Sequence, residues 1–192
     1  MNLLFRLIAV ILKAIRGAPI AAPFGVSRIA FRVWPHDCDL NFHLNNGRYL
    51  TLMDLGRTDL MIRAGLARPA LKHGWAPMLS AAEIVFRREI RPFQRFFLES
   101  RVLAFSGTDF LMEQRFLITS KFGEEEVAAL ALVRGGLYDR KGKRFVPVAD
   151  LFALIGIEAS DHPAEGPGAE FLAASTALRA KARTPENWED TP

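Results

Sequence analysis

The order of periodic segments predicts an α+β domain: one strand, one long helix, then four consecutive strands. The first strand is SRIAFRVW at 27–34, where Ser27, Ile29, Phe31 and Val33 alternate with Arg28, Ala30 and Arg32. Alternation of this kind marks a half-buried strand. The helix follows from Asn46 to Ala64 and gathers Tyr49, Leu52, Met53, Gly56 and Leu60 on one face. Its start is signalled by Asn45 or Asn46, whose side chains cap otherwise unpartnered backbone N–H groups. Gly56 weakens the helix but allows close approach to a sheet.

Past Gly65 and Pro69 the pattern changes to strands near 75–88, 95–106, 109–120 and 126–139. Their separators are short and turn-like: Arg91-Pro92, Ser106-Gly107-Thr108-Asp109 and Lys121-Phe122-Gly123-Glu124. In the last strand Val127, Ala129, Ala131 and Val133 alternate with Ala128, Leu130 and Leu132, so both faces are apolar and the strand belongs in the interior of the sheet. One helix covers one face of such a sheet. The second face requires a partner copy or the terminal helices.

The chain has 192 residues, half of them apolar and about a quarter charged, which excludes a disordered or collagen-like polymer. That length holds one domain with tails: an apolar helix and connector at 1–24, the domain at 25–157, and a C-terminal tail at 158–192. The tail turns to Pro, Gly, Glu and Ala from Ser160, with a short helix expected near Ala169–Ala182 and mobility for the rest. One cysteine, Cys38, excludes an intramolecular disulfide and a multi-thiolate zinc site. Residues 1–121 carry 17 basic side chains against 9 acidic, and 151–192 carry 3 against 7. A cationic body suits an anionic small molecule, a nucleic acid or an anionic membrane. No basic–aromatic nucleic-acid motif is found in the sequence, so the high pI of 9.6 alone does not support that class.

Residues 1–16, MNLLFRLIAVILKAIR, are too short and too charged to span a bilayer, and lack the order of a secretory signal. On a helix Asn2, Arg6, Ala9, Lys13 and Arg16 form one stripe amid leucine and isoleucine. That pattern suits a helix packed on its own protein or a neighbouring subunit, and equally one lying on a membrane surface.

The chemistry-bearing segment is Pro35-His36-Asp37-Cys38-Asp39-Leu40-Asn41-Phe42-His43-Leu44-Asn45-Asn46-Gly47-Arg48-Tyr49. It brings carboxylates, imidazoles, a thiol and carboxamides to a helix N-terminus, whose N–H groups can polarise a carbonyl or hold an oxyanion. A nearby carboxylate could serve as base or nucleophile on that carbonyl, as acyl transfer or ester hydrolysis requires.

Asp39-X-Asn41-X-His43-X-Asn45-Asn46-X-X-Tyr49, set between strand and helix, resembles the hotdog-fold thioesterases of the 4-hydroxybenzoyl-CoA thioesterase-like branch. The Asp-X-Asn-X-His spacing is similar to that of plant acyl-ACP thioesterases. Arg91-Pro92-Phe93, the Ser106–Asp109 turn and the apolar leader resemble that branch and the thioesterase superfamily member six-like group. The resemblance implies a hotdog fold, an antiparallel sheet wrapped around one long central helix, with extra N- and C-terminal helical segments. It implies an acyl-CoA or acyl-ACP hydrolase with Asp39 as base or nucleophile and Asn41 and His43 positioning substrate or water. The helix start around Asn46 and Gly47 would supply the oxyanion N–H, Asn45 would join them in binding substrate, Tyr49 would pack beneath the site, and Arg91 would meet the carrier phosphates. A cytoplasmic homodimer, with peripheral membrane contact through 1–16 and no metal or redox cofactor, completes the expectation.

Each of these residues also has a plainer role. Asn45 and Asn46 serve as helix caps alone, Asp37 holds the turn, Cys38 is a small buried hydrophobe rather than a nucleophile activated by His36 or His43, and Arg87, Arg88, Arg91 and Arg95 are a solvated strand end. A metal held by His36, Asp37, Asp39 and His43 fits no established ligand spacing. Glu83 is the strand glutamate best placed for chemistry by its position next to Ile84 and Phe86. A non-catalytic acyl-thioester or lipid binder with the same pocket is the alternative function.

Overall fold

In the computed structural model, which describes residues 2–182, the sheet forms from the strands expected and wraps one long helix. In chain order the elements are α1 (Asn2–Arg16), β1 (Ser27–Arg32), a 3₁₀ turn (Pro35–Asp37), α2 (Asn46–Arg63), α3 (Ala67–His73) and β2 (Trp75–Phe86). There follow β3 (Arg95–Ser106), β4 (Asp109–Thr119), β5 (Glu125–Asp139), β6 (Arg144–Val146), α4 (Val148–Ala153) and α5 (Pro167–Lys181). The strands run in the order β1-β3-β4-β5-β2, all antiparallel, and β6 pairs with the end of β5. β5, apolar on both faces, lies between β4 and β2 as its sequence requires.

Register shifts at Leu79/Ala81, Val102/Ala104 and Phe116/Leu117 add twist where the sheet must curl. α2 fills the concave face with Tyr49, Leu52, Met53 and Leu60, against Phe96, Leu98, Phe116 and Val133. Gly56 is needed at this contact: a Cβ there would stand 2.5 Å from Ser100 Oγ and 2.9 Å from Leu98 Cδ2. The polar part of the seam is closed by hydrogen bonds: Ser27 Oγ donates to Asp59 Oδ2 at 2.6 Å, and Arg63 reaches the same carboxylate at 3.3 Å.

The C-terminal segment is more engaged than its composition suggests. Phe171 of α5 packs against Ala104 and Leu111 on the convex face, and Arg134 ties α5 to the sheet through Ser175 Oγ at 3.0 Å and Thr176 Oγ1 at 2.7 Å. The tail beyond residue 182 lies outside the described residues.

Three short elements escape the sequence pattern, one of them β6, a three-residue strand paired with the end of β5. α3 contains Pro69, which reads as a break but stands in the helix's first turn, where a missing N–H costs nothing. α4 is a single hydrophobic turn and a half whose Val148, Leu151 and Phe152 are buried.

α1 docks on α2 through Val10 and Ala14. Arg6, which helical spacing groups with Lys13 and Arg16 on one stripe, turns inward because a buried carboxylate, Asp37, needs a cation. The outward face is therefore largely apolar, with Leu4, Phe5, Ile8, Leu12 and Ile15 exposed and Lys13 and Arg16 beside them near the helix end. No helix among the described residues is long and apolar enough to cross a membrane.

Candidate active site

The polar segment forms a tight turn between β1 and α2, pinned at both ends. Asp37 is 2% exposed. Its Oδ2 accepts from Arg6 Nη2 at 2.6 Å and from the Trp34 N–H at 3.0 Å, and its Oδ1 accepts from Arg6 Nη1 at 3.2 Å. Its backbone carbonyl accepts the Asn45 N–H at 2.9 Å, linking this carboxylate's residue to the cap of α2. Every one of these bonds is structural.

Asp39, two residues on, is at the rim. Its Oδ1 accepts the Asn41 N–H at 2.9 Å, an Asx turn, and stands 3.7 Å from His43 Nδ1. The Asp39 N–H in turn donates to the His43 carbonyl at 3.2 Å. Asp39, Asn41 and His43 thus share one small loop, with Asn41 engaging through its backbone rather than its carboxamide. The loop reverses at Phe42, whose φ of 57° is left-handed, and exposes Leu40 and Phe42 at its tip.

Asn45 caps α2, its Oδ1 accepting the Gly47 N–H at 2.9 Å. That bond occupies one of the two proposed oxyanion donors and leaves the Asn46 N–H, at the first position of the helix, as the candidate. Tyr49 lies beneath, 2% exposed, its ring centroid 4.9 Å from Phe86 and 4.6 Å from Phe116. Burial pushes its hydroxyl up to about 12, so it packs as a neutral ring. The Leu44 N–H donates to the Ile90 carbonyl at 2.8 Å, which brings the loop carrying Arg87, Arg88 and Arg91 alongside the turn. In that loop Arg91 is paired with Glu89 at 2.6 Å and Arg88 with Glu126 at 3.4 Å.

Burial first, then the charges of Asp37 and Asp39, push the Cys38 thiol up, against the thiolate a nucleophile needs. Glu83 sits on the opposite face of the sheet from α2. Its neighbours Ile84 and Phe86 point toward the helix while Glu83 itself borders a cleft beneath α5 with Leu132 and Phe171. The two-residue strand period separates it from the turn. Among the described residues no group of three or more His, Cys, Asp or Glu could hold a metal ion.

A cavity of about 270 Å³ opens beside the second half of α2, walled by Leu60, Met78, Met112, Val133 and Phe152. Its polar lining residues are Asp54, Arg57 and Thr58 on α2. Arg57 Nη1 donates to Gln114 Oε1 at 2.6 Å and the guanidinium also pairs with Asp54, while burial lowers its affinity for the proton. Sequence reasoning missed this trio: on α2 the three lie on the flank between its buried and solvated faces, where nothing in their spacing marks a cavity. At 1.5 Å per residue, Asp54 is about 12 Å along the helix axis from Asn46.

The fold recurs in known proteins. A structure of 4-hydroxybenzoyl-CoA thioesterase from Pseudomonas superposes with a TM-score of 0.60 at 15% identity, covering 67% of this chain and 98% of that one. A DHNA-CoA thioesterase from Staphylococcus aureus gives a TM-score of 0.58 at 13% identity over 84% of this chain and 97% of that one. Both are hotdog folds, as is this chain. In sequence, Protein THEM6 of Xenopus laevis is 35% identical over 85 residues, which is 44% of this chain and 41% of that relative. The family model of the thioesterase-like superfamily matches residues 33–154, well over half the chain and the span that holds the turn and most of the cavity's lining; the chain belongs to that superfamily.

Proposed function

We propose that the protein hydrolyses acyl thioesters of CoA or acyl carrier protein. The observation that carries this reading is the partly exposed Asp39 carboxylate held in an Asx turn beside the N-terminus of α2. In the mechanism, the Asn46 N–H and the positive end of α2 polarise the thioester carbonyl. Asp39 activates water or attacks the carbonyl carbon itself, and His43, beside the same carboxylate, orients the attacking group. The thiol leaves with a proton, and no metal or redox cofactor is required. Arg87, Arg88 and Arg91, on the loop bonded to the turn, suit the phosphates of CoA or phosphopantetheine. The separation of turn and cavity along α2 favours an acyl chain long enough to run from one to the other over a single compact ring.

Two assembly features support the same reading. β2 is a 12-residue edge strand with Met78, Leu79, Val85 and Phe86 exposed, a surface suited to pairing with a second copy in a homodimer. The apolar outer face of α1 suits peripheral contact with a membrane, and the protein is proposed to work in the cytoplasm. A monomeric mass by sedimentation at micromolar concentration would count against the dimer.

The experiment is thiol release over a panel of acyl-CoA and acyl-ACP substrates. Asp39→Asn should lower turnover roughly 10²-fold or more, the range for a lost base, with the fold intact. The second reading, a non-catalytic acyl-thioester or lipid binder, draws on the cavity's distance from Asp39. It predicts no thiol release from any substrate and unchanged ligand affinity in Asp39→Asn.

A further inference from the structure

The N-terminal helix is joined to the catalytic turn by the Arg6–Asp37 ion pair, and the bonds around that pair reach both ends of the turn. Arg6 enters from α1 and meets both oxygens of Asp37, at 2.6 and 3.2 Å, while its Nη2 also donates to the Arg32 carbonyl at the end of β1, at 3.1 Å. Asp37 holds the start of the turn through the Trp34 N–H and its end through the Asn45 N–H. Asn45 is the cap of α2. Arg48, one turn into α2, stands 3.7 Å from the same carboxylate, and His36 stands 3.5 Å away. Of these neighbours Arg6 is the one with a two-point grip and a side chain only 15% exposed.

We propose that Arg6 is a positioning residue for the thioesterase site: it fixes Asp37, and through Asp37 the loop that presents Asp39 and the first N–H groups of α2. The proposal rests on the thioesterase reading and assigns α1 a part in it. Asp39 never touches Arg6. The effect passes through the turn, whose two ends are 11 residues apart in sequence and both bonded to Asp37. A two-oxygen guanidinium–carboxylate grip fixes orientation as well as distance, which a point charge does not. Without it, a carboxylate 2% exposed loses its closest cation, and the turn must open to hydrate it. A displacement of Asp39 by about 1 Å from its working position is enough to cost roughly 10²-fold in rate.

The test compares Arg6→Met, which keeps the apolar stem, with Arg6→Lys, which keeps the charge without the fork, and with Val10→Ala, which loosens α1 without touching Asp37. Steady-state thiol release gives kcat and KM, a non-hydrolysable acyl-CoA thioether gives affinity, and hydrogen exchange reads the Trp34 and Asn45 amides. The expected result is a fall in kcat of about tenfold to 10²-fold in Arg6→Met with thioether affinity within about threefold, partial recovery in Arg6→Lys, and kcat near wild type in Val10→Ala. Exchange at Trp34 and Asn45 should quicken in Arg6→Met while the amides of β4 and β5 keep their protection. Unchanged kcat in Arg6→Met, or an equal loss in Val10→Ala, overturns the proposal. Should the wild type release no thiol at all, it is the thioesterase reading that fails, and exchange still decides whether Arg6 orders the turn: equal protection in wild type and Arg6→Met overturns it.

Discussion

Arg57 and Gln114 meet beneath the central helix, Arg57 Nη1 donating to Gln114 Oε1 at 2.6 Å although the two are 57 residues apart in sequence. Gln114 is fully buried, and its amide nitrogen donates to the Met53 carbonyl at 3.0 Å and to Ser100 Oγ at 2.7 Å. One side chain thereby satisfies a helix carbonyl, a strand hydroxyl and a guanidinium at the edge of the cavity. The network is fully paired, the condition under which buried polar groups rigidify a core rather than weaken it.

Replacing Gln114 with Leu keeps the volume close and removes all three bonds. Ser100, the Met53 carbonyl and Arg57 would each lose a partner in a place water does not reach freely. The expected loss of stability is about 3 kcal/mol, because the partners left behind carry the desolvation cost. Urea denaturation followed by circular dichroism measures it, and a loss under about 1 kcal/mol would show that the network contributes little.

The Cys38 thiol is raised by burial and by the carboxylates of Asp37 and Asp39. At pH 8 it should therefore carry less thiolate than free cysteine and alkylate more slowly with iodoacetamide. The sign of the linkage follows: the fold favours the neutral thiol, so this contribution to stability is complete below the unfolded value and declines as pH rises through the folded one. Asp39→Asn removes one of the raising charges and should speed alkylation at fixed pH. Alkylation as fast as that of a free thiol would contradict the assigned environment.

The strands and the central helix were legible because their signal is periodic. Alternation from Val127 to Val133 fixes β5 inside the sheet, and Tyr49, Leu52, Met53 and Gly56 mark the face of α2 that the sheet receives. A cap at Asn45 or Asn46 was legible for a local reason, and the structure selects Asn45, whose side chain accepts the N–H two residues on. What stayed hidden depends on partners distant in sequence. Nothing local tells that Arg6 turns inward, since its partner Asp37 is 31 residues away. Glu83 looked unusual among apolar neighbours, yet a strand alternates faces, and the register with Leu132 turns it to the α5 side. Asp54, Arg57 and Thr58 gain meaning only once the sheet closes a cavity against them.

α1 presents an apolar surface on the side away from the protein. Leu4, Phe5 and Ile15 are each more than 60% exposed, at 61%, 63% and 67%, with Ile8 and Leu12 beside them. α1 contains no acidic residue, and Lys13 and Arg16 stand exposed near its end, so the charges complement an anionic lipid surface. Deleting α1 is a poor test, because Arg6 would go with it. The better variant is Leu4→Glu with Ile8→Glu, which spoils the outer face and leaves Arg6, Val10 and Ala14 in place. The wild type should cosediment with vesicles containing phosphatidylglycerol, more weakly as salt rises, since charges are screened beyond about 8 Å at physiological ionic strength. The double variant should lose that binding while its thiol release on soluble acyl-CoA stays within about twofold of wild type, because neither side chain is part of the turn's hydrogen bonding. If instead wild type ignores vesicles and the double variant halves the mass seen in sedimentation, the face is covered by a second copy and the membrane reading is wrong.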